Sequence, residues 1–186
     1  GKLLRAIAAE GARAFYSGPV ADAIVKAARD DRSEITLDDL RSYKVEERAP
    51  LTTTFRGNTV LSMPPPSSGG IVLAQVLGMI DAREADFERI ARKNGHNSAE
   101  YIHFLAEASK HAFADRARWM GDPNFVDVPV ASLLSRAYIA DRAASISLER
   151  AQPVDSYGTA NLMPEDHGTS HLCVIDAWGN AVGCSE

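Results

Sequence analysis

Gly168-Thr169-Ser170-His171 is the stretch whose residue types and order best suit covalent chemistry in this chain of 186 residues. A polar segment from Gln152 to Gly168, punctuated by Pro153, Gly158, Pro164 and Gly168, leads into it and predicts a loop or flexible linker. A threonine hydroxyl behind such a linker can reach the carbonyl of the residue before it, and a glycine there hinders the approach least. Attack on the Gly168 carbonyl would break the Gly168–Thr169 amide by an N-to-O acyl shift, and water would then free a new N-terminus. The freed α-amine has a pKa of about 8, so it can accept the proton of its own hydroxyl at neutral pH. One residue would then provide both nucleophile and base. Ser170 is a possible supporting group. His171 shares a strand face with Thr169 and suits a structural hydrogen bond better than general base, because the amine fills that role. Without further context, the same four residues also fit a loop end whose hydroxyls cap backbone groups.

Other groups have chemical and plain readings side by side. His103, Glu107 and His111 stand at i, i+4 and i+8 on one helix face; they mimic a metal site, but a solvated or hydrogen-bonded surface stripe is the simpler reading. Ser67-Ser68-Gly69-Gly70 reads as an anion-binding nest at a helix start or as a buried turn needing glycines for close packing. Asp115 and Arg116 read as a helix-end ion pair with neighbours. Cys173 and Cys184 would form a disulfide only if they face each other on paired strands; two ordinary buried thiols are simpler. Neither lies in a CxxC pair or beside a histidine at ligand spacing, so the redox compartment stays open. The residues call for no metal and no cofactor.

The elements that must hold these groups are mainly helical. Leu3, Leu4, Ile7 and Ala8 give a helix stopped by Gly11, and a short turn over Phe15–Pro19 enters a second helix with Val20, Ala23, Ile24 and Ala27 on one face. Thr36-Leu37-Asp38-Asp39 predicts a capping box and a short helix through Tyr43. Leu51 to Met63, interrupted at Gly57-Asn58, predicts a β-hairpin. Pro64-Pro65-Pro66 should be extended, with a buried helix from Ile71 to Ile80 after it. Ser98 should cap the longest helix, with Tyr101, Leu105, Ala108 and Ala112 inward and Gly121-Asp122-Pro123 ending it. Another helix is expected from about Ser132 to Ser145. Strands are expected from His171 to Ile175 and from Ala181 to Cys184, around a turn at Asp176–Asn180.

Composition bounds the function. Hydrophobic residues are 45% and charged residues 24% of the chain, as in a globular protein that buries its own core. Acidic residues outnumber basic ones 25 to 20, for a net charge of −5, and no basic cluster offers a nucleic-acid footprint. No apolar run reaches the ~18 residues of a membrane helix. Both ends fall inside secondary-structure patterns, so the chain is expected to be part of a longer one.

Four motifs, in order, resemble a known family. Thr169-Ser170-His171-Leu172-Cys173-Val174-Ile175-Asp176, followed by Gly179-Asn180-Ala181-Val182, resembles the processing site of γ-glutamyltranspeptidases. There Thr-Thr/Ser-His begins the small subunit and an Asp-x-x-Gly-Asn-Ala-Val turn follows. Ser62 to Gly70 is similar to a large-subunit signature of the family. Tyr43-Lys44-Val45-Glu46-Glu47-Arg48, and Ala114-Asp115-Arg116 with Gly121-Asp122-Pro123, match as well. The departures are Trp178, where a small or polar residue is usual, and the two cysteines, where serine or threonine is.

The resemblance implies a fold, a reaction and a division of the chain. The mature enzyme would be an αββα sandwich of the N-terminal-nucleophile hydrolases, and this α+β, mostly helical chain a fragment of it. Residues 1–151 would be the helical C-terminal part of the large subunit, with the hairpin near 51–63. Residues 152–168 would be the pre-cleavage linker and 169–186 the start of the small subunit. Gly168–Thr169 would be the bond cut. Thr169 would then attack γ-glutamyl amides such as glutathione to give a γ-glutamyl ester, resolved by water or by an amino-acid or peptide acceptor. The implied partners are these small molecules and the remainder of the protein's own two subunits.

The arginine for the substrate α-carboxylate would precede Gly1. The supporting threonine and asparagine, and the paired-glycine oxyanion hole, would follow Glu186. The fragment alone is therefore expected to be inactive. Cephalosporin- or glutaryl-acylase-like members share these motifs, and a non-catalytic structural or binding relative is the reading from another class. By resemblance the protein would be periplasmic, at the cell surface or secreted.

Overall fold

The computed structural model describes residues 1–158 and 171–185. The chain divides into two compact units, Gly1–Arg48 and Ala49–Glu186.

In the first unit, helix α1 (Lys2–Glu10) stops at Gly11, whose φ of 66° turns its N–H back to the Ile7 carbonyl at 2.8 Å. A single turn, α2 (Arg13–Tyr16), leads into α3 (Pro19–Asp30), where Pro19 occupies the first turn and has no amide to leave unsatisfied. The buried residues of α3 are Ala21 and Val25, not the Val20, Ala23, Ile24, Ala27 face expected. The inward arc is rotated by one residue because α2 and α4 (Leu37–Ser42) pack on that side. The capping box forms as expected: Thr36 Oγ1 accepts from the Asp39 amide at 3.2 Å and Asp39 Oδ2 from the Thr36 amide at 2.8 Å.

The second unit opens with β1 (Leu51–Phe55) and β2 (Asn58–Ser62), paired antiparallel from Leu51↔Ser62 to Phe55↔Asn58. The turn is therefore Arg56-Gly57, one residue earlier than expected. Their φ values of 49° and 78° suit the mirror-image turn whose twist matches paired strands. The proline run is not extended throughout. Ser67 N–H reaches the Pro64 carbonyl at 3.2 Å around a cis Pro65–Pro66 bond, closing a turn.

Helices α5 (Gly69–Ala82), α6 (Glu84–Asn94) and α7 (Ala99–Trp119) follow, then a short α8 (Val130–Leu133) and α9 (Arg136–Ser145). Ser98 caps α7 by accepting from Tyr101 N–H at 3.2 Å, as expected. The single helix expected from Ser132 to Ser145 is interrupted because Ser135 accepts from Tyr138 N–H at 3.3 Å and caps a new one. The core joins Met79 and Ile80 of α5, Phe87 and Ile90 of α6, Phe104, Ala108 and Ala112 of α7, and Ala143 with Ile146. Phe104, missing from the expected apolar stripe, is completely buried and meets Phe87 edge-on at 5.4 Å.

Within the stretch expected as linker, Val154–Tyr157 makes a single 3-10 turn. Among the described residues, strands β3 (His171–Ile175) and β4 (Ala181–Ser185) pair only with each other, as β1 and β2 do. The observed class is α+β and mostly helical. No helix among the described residues is long and apolar enough to cross a membrane.

Candidate active site

The candidate nucleophile Thr169, with Gly168 and Ser170, lies outside the described residues, and so does the bond between Gly168 and Thr169. The strand that would follow the nucleophile is described. His171 opens β3 opposite Ser185, and the register runs through Leu172↔Cys184, Cys173↔Gly183 and Val174↔Val182 to Ile175↔Ala181. The two cysteines are thus offset by one position and fall on opposite faces of the hairpin, where no disulfide can join them. Both are exposed, contrary to the expectation of buried thiols.

A carboxylate organises the hairpin turn. Asp176 Oδ1 accepts from the amides of Trp178 and Asn180, each at 2.9 Å, and Oδ2 accepts from the Asn180 side-chain amide at 2.7 Å. The Asn180 side chain, with these amides, holds the Asp176 carboxyl below the usual carboxylate range. Gly179, at φ 84°, closes the turn onto the Asp176 carbonyl at 3.1 Å. Asp176, Gly179 and Asn180 of the motif are therefore the residues that bend this strand pair. Trp178 projects into solvent with 86% of its surface exposed.

Three acidic or imidazole side chains of α7 do not stand on a solvated face. Glu107 is 1% exposed, His111 4% and Asp115 8%, which corrects the surface reading of the stripe. Glu107 accepts from the Tyr157 hydroxyl, from Lys110 Nζ and from the backbone amide of Gln152 at 3.5 Å. Burial pushes its pKa up, but the hydrogen bonds from Lys110 and Tyr157 outweigh this and leave the group below its ordinary value. For Lys110, burial acts downward and the Glu107 carboxylate reverses it, so the ammonium form is favoured. The Tyr157 ring packs edge-on against His111 at 4.7 Å, with Lys110 over its face at 4.7 Å.

His111 faces Ser145 Oγ through Nε2 at 3.0 Å, and that hydroxyl donates to the Arg142 carbonyl at 2.7 Å. The serine hydrogen being used, Nε2 must carry the proton and donate. Among the described residues, His111 Nδ1 is buried without a hydrogen-bond partner. Burial, then the charge of Arg142, holds the His111 pKa down. His103 instead reaches the Ser147 carbonyl at 2.8 Å. His103, Glu107 and His111 thus hold separate protein partners, and no cluster of three metal-ligating side chains is present among the described residues.

Among the described residues, Asp115 does not form the expected ion pair. It accepts from Gln75 Nε2 at 2.6 Å and from the Tyr138 hydroxyl at 2.7 Å, joining α7 to α5 and α9. Arg116 turns the other way and donates from Nε to Ser68 Oγ at 2.8 Å. The Ser67–Gly70 turn follows its packing reading. A Cβ on Gly70 would lie 2.1 Å from the Met63 carbonyl oxygen, so the backbone approaches there as only glycine permits. A cleft of about 540 Å³ opens beside Asp115, Arg118, Trp119, Tyr138, Arg142 and Tyr157. Tyr157 and Gln152, which hold Glu107, are the partners that the sequence did not mark. A lone aromatic in a polar stretch was the available signal.

Three comparisons bear on these motifs. The family model for gamma-glutamyltranspeptidase matches residues 1–185. A glutathione hydrolase proenzyme of Pseudomonas aeruginosa is 45% identical over 183 residues, which are 97% of this chain and 31% of that protein. An acylase ACY 1 proenzyme of Pseudomonas sp. is 38% identical over 98% of this chain and 31% of its own length. Among solved structures, gamma-glutamyltranspeptidase from Pseudomonas nitroreducens complexed with L-DON matches at a TM-score of 0.76 and 41% identity, over 84% of this chain and 45% of that one. The chain therefore spans about a third of the length of the curated relatives it matches.

Proposed function

Because the chain belongs to the gamma-glutamyltranspeptidase family, we propose that it is part of a self-processing enzyme whose nucleophile is Thr169. The observation that carries this reading is the position of Gly168-Thr169-Ser170-His171. Its last residue, His171, is the first of β3, in a chain 45% identical to a glutathione hydrolase proenzyme. The hydroxyl of Thr169 attacks the Gly168 carbonyl, the amide nitrogen leaves as the new α-amine, and water hydrolyses the resulting ester. The α-amine then takes the hydroxyl proton when Thr169 attacks a γ-glutamyl amide. The donor's amine leaves, and the γ-glutamyl ester passes to water or to an amino-acid or peptide amine. Glutathione is the donor this reading favours, and the remaining parts of the protein's own two subunits are its structural partners. A location outside the cytoplasm, in the periplasm, at the surface or in the medium, goes with the same reading.

The likeness to the acylase proenzyme supports a second reading, in which the acyl group is that of a glutaryl or cephalosporin-type amide. One experiment separates them. The full-length gene product is followed for conversion into two chains and for release of a chromogenic γ-glutamyl anilide against a glutaryl anilide. Wild type should be cut at Gly168–Thr169 and prefer the γ-glutamyl donor, while Thr169→Ala should stay as one inactive chain. Cleavage of the alanine variant at that bond would remove Thr169 from this role.

A further inference from the structure

His111 is 4% exposed on α7, and the elements that cover it hold on with unequal strength. Helix α9 brings Ser145 to Nε2 at 3.0 Å, and its Tyr138, Ile139 and Arg142 line one small hollow with the ring. That helix is built into the core by Ala143. It is held again by Tyr138 on Asp115 and by Arg83 on the Ala143 and Ile146 carbonyls. Helix α5 adds Gln75 and Met79, neither of them charged. The remaining cover is the Val154–Tyr157 turn, of which only Tyr157 is buried, its ring edge-on to His111 at 4.7 Å.

An imidazolium is poorly served in this setting. The cations of Arg142 and Lys110 act on the ring, against the carboxylates of Glu107 and Asp115. Those carboxylates already accept from Lys110, Tyr157 and Gln152, and from Gln75 and Tyr138. Nδ1, which would carry the added proton, has no hydrogen-bond partner among the described residues. Lys110 already lies over the Tyr157 ring at 4.7 Å, so a second cation beside that ring gains little. A proton on His111 therefore favours an arrangement that lets water reach the imidazole. The turn is the cheaper cover to displace, because it buries a single side chain, and Glu107 keeps Lys110 when the turn leaves. We propose that His111 is an acid-sensitive latch, which holds the Val154–Tyr157 turn on α7 while neutral and releases it on taking up a proton. Helices α5, α7 and α9 stay packed in both states. The covered ring binds a proton less readily than an open one, so acid favours release. With an uncovered imidazole titrating at about 6.5, the open fraction rises by up to roughly tenfold from about pH 7.5 to 5.5.

The test is hydrogen exchange of the full-length protein, read by mass on the peptide covering residues 152–157 and corrected for the intrinsic pH dependence of exchange. The Gln152 and Ser156 amides in it are hydrogen-bonded, to Glu107 and to the Pro153 carbonyl. In wild type this peptide should open far more often than the Phe104–Ala112 stretch of α7. Its opening should grow several-fold, up to roughly tenfold, from about pH 7.5 to 5.5. His111→Gln should abolish that growth. Tyr157→Ala removes the cover and keeps the imidazole, so the His111 titration, followed by NMR of the ring, should move up toward about 6.5. That variant decides the matter if His111→Gln does not fold. Four results would each overturn the latch: constant opening in wild type, equal growth in His111→Gln, opening of 152–157 only together with α7, or a titration unmoved by Tyr157→Ala. None of them bears on the role of Thr169.

Discussion

Gly70→Ala sets two opposing effects against each other at one atom. Gly70 is buried in the first turn of α5, and the methyl group would sit 2.1 Å from the Met63 carbonyl oxygen, 3.0 Å from Ser62 Oγ and 3.1 Å from the Met63 carbonyl carbon. A carbon and a carbonyl oxygen normally stay about 3.3 Å apart or more, so the Met63 peptide must retreat by about 1 Å. No rotamer change relieves this, because the obstacle is backbone. Met63 is followed by Pro64, whose ring fixes φ, and then by the turn closed from Ser67 to Pro64. Overpacking of this kind costs about 1–3 kcal/mol. Against it, alanine is about 1 kcal/mol better than glycine inside a helix, and less at its first turn. The net expectation is a loss of about 1–2 kcal/mol, or a fall in Tm of roughly 2–8 °C for a chain of this size. Gly69→Ala is the internal control, since its Cβ would meet only Ser67 Oγ at 3.9 Å; it should be neutral or stabilise by a few tenths of a kcal/mol. Thermal and urea unfolding of both variants decide the matter. A Gly70→Ala protein melting at or above Gly69→Ala would refute the close-approach account of this turn.

Two further outcomes follow from the polar groups of α7. Asp115→Ala should cost about 2–3 kcal/mol in urea unfolding, because it removes one of the two acceptors of the buried Gln75 amide, which keeps the Leu133 carbonyl, and the acceptor of the Tyr138 hydroxyl; a loss under 1 kcal/mol would count against that network. The His111 pKa is lowered from 6.5 by burial and then by Arg142, so the unfolded chain binds more protons between 6.5 and the folded value. Stability should fall as pH drops through about 6.5 and level off below the folded pKa. His111→Gln should flatten the Tm profile as pH falls below about 6.5, and an unchanged slope would place the titration elsewhere.

Features written in local chemistry were legible in the sequence. The Thr36 capping box, the Ser98 cap, the Gly11 stop and the hairpins around Arg56-Gly57 and Asp176–Asn180 each depend on residues within five positions. So did the α+β class and the motif string, which identified the family without reference to packing. Helix α6 was not legible. Its 11 residues are dominated by charge, and only Phe87 and Ile90 turn fully inward, one pair with no repeat to mark a face. The inward face of α3 was misplaced by one residue, because alanines at 21, 23, 27 and 28 leave a helical pattern with several equivalent faces. The break before α9 turned on whether Ser135 or Ser132 would cap, and sequence spacing does not rank them.

The polar stripe of α7 failed for a different reason, and that reason says what the helix does. Phe104, Ala108 and Ala112 form one buried row at spacing four, and Glu107, His111 and Asp115 form a second buried row beside it. Hydrophobic periodicity treats the second row as solvent-facing, because it has no means of seeing partners at a distance. Apart from Lys110, one turn along from Glu107, the partners of that row are remote: Gln75 and Tyr138 for Asp115, Ser145 for His111, and Gln152 with Tyr157 for Glu107. Burying a charged or polar group without partners costs several kcal/mol, so this row is tolerable only once its partner segments have docked. A hydrophobic row would bind those segments less selectively, since apolar contact has no direction. Hydrogen bonds to named atoms fix both which residue docks and where. Helix α7 therefore uses one row to make the core and the adjacent row to hold α5, α9 and the 152–157 segment. Sequence patterning reveals the first row and hides the second.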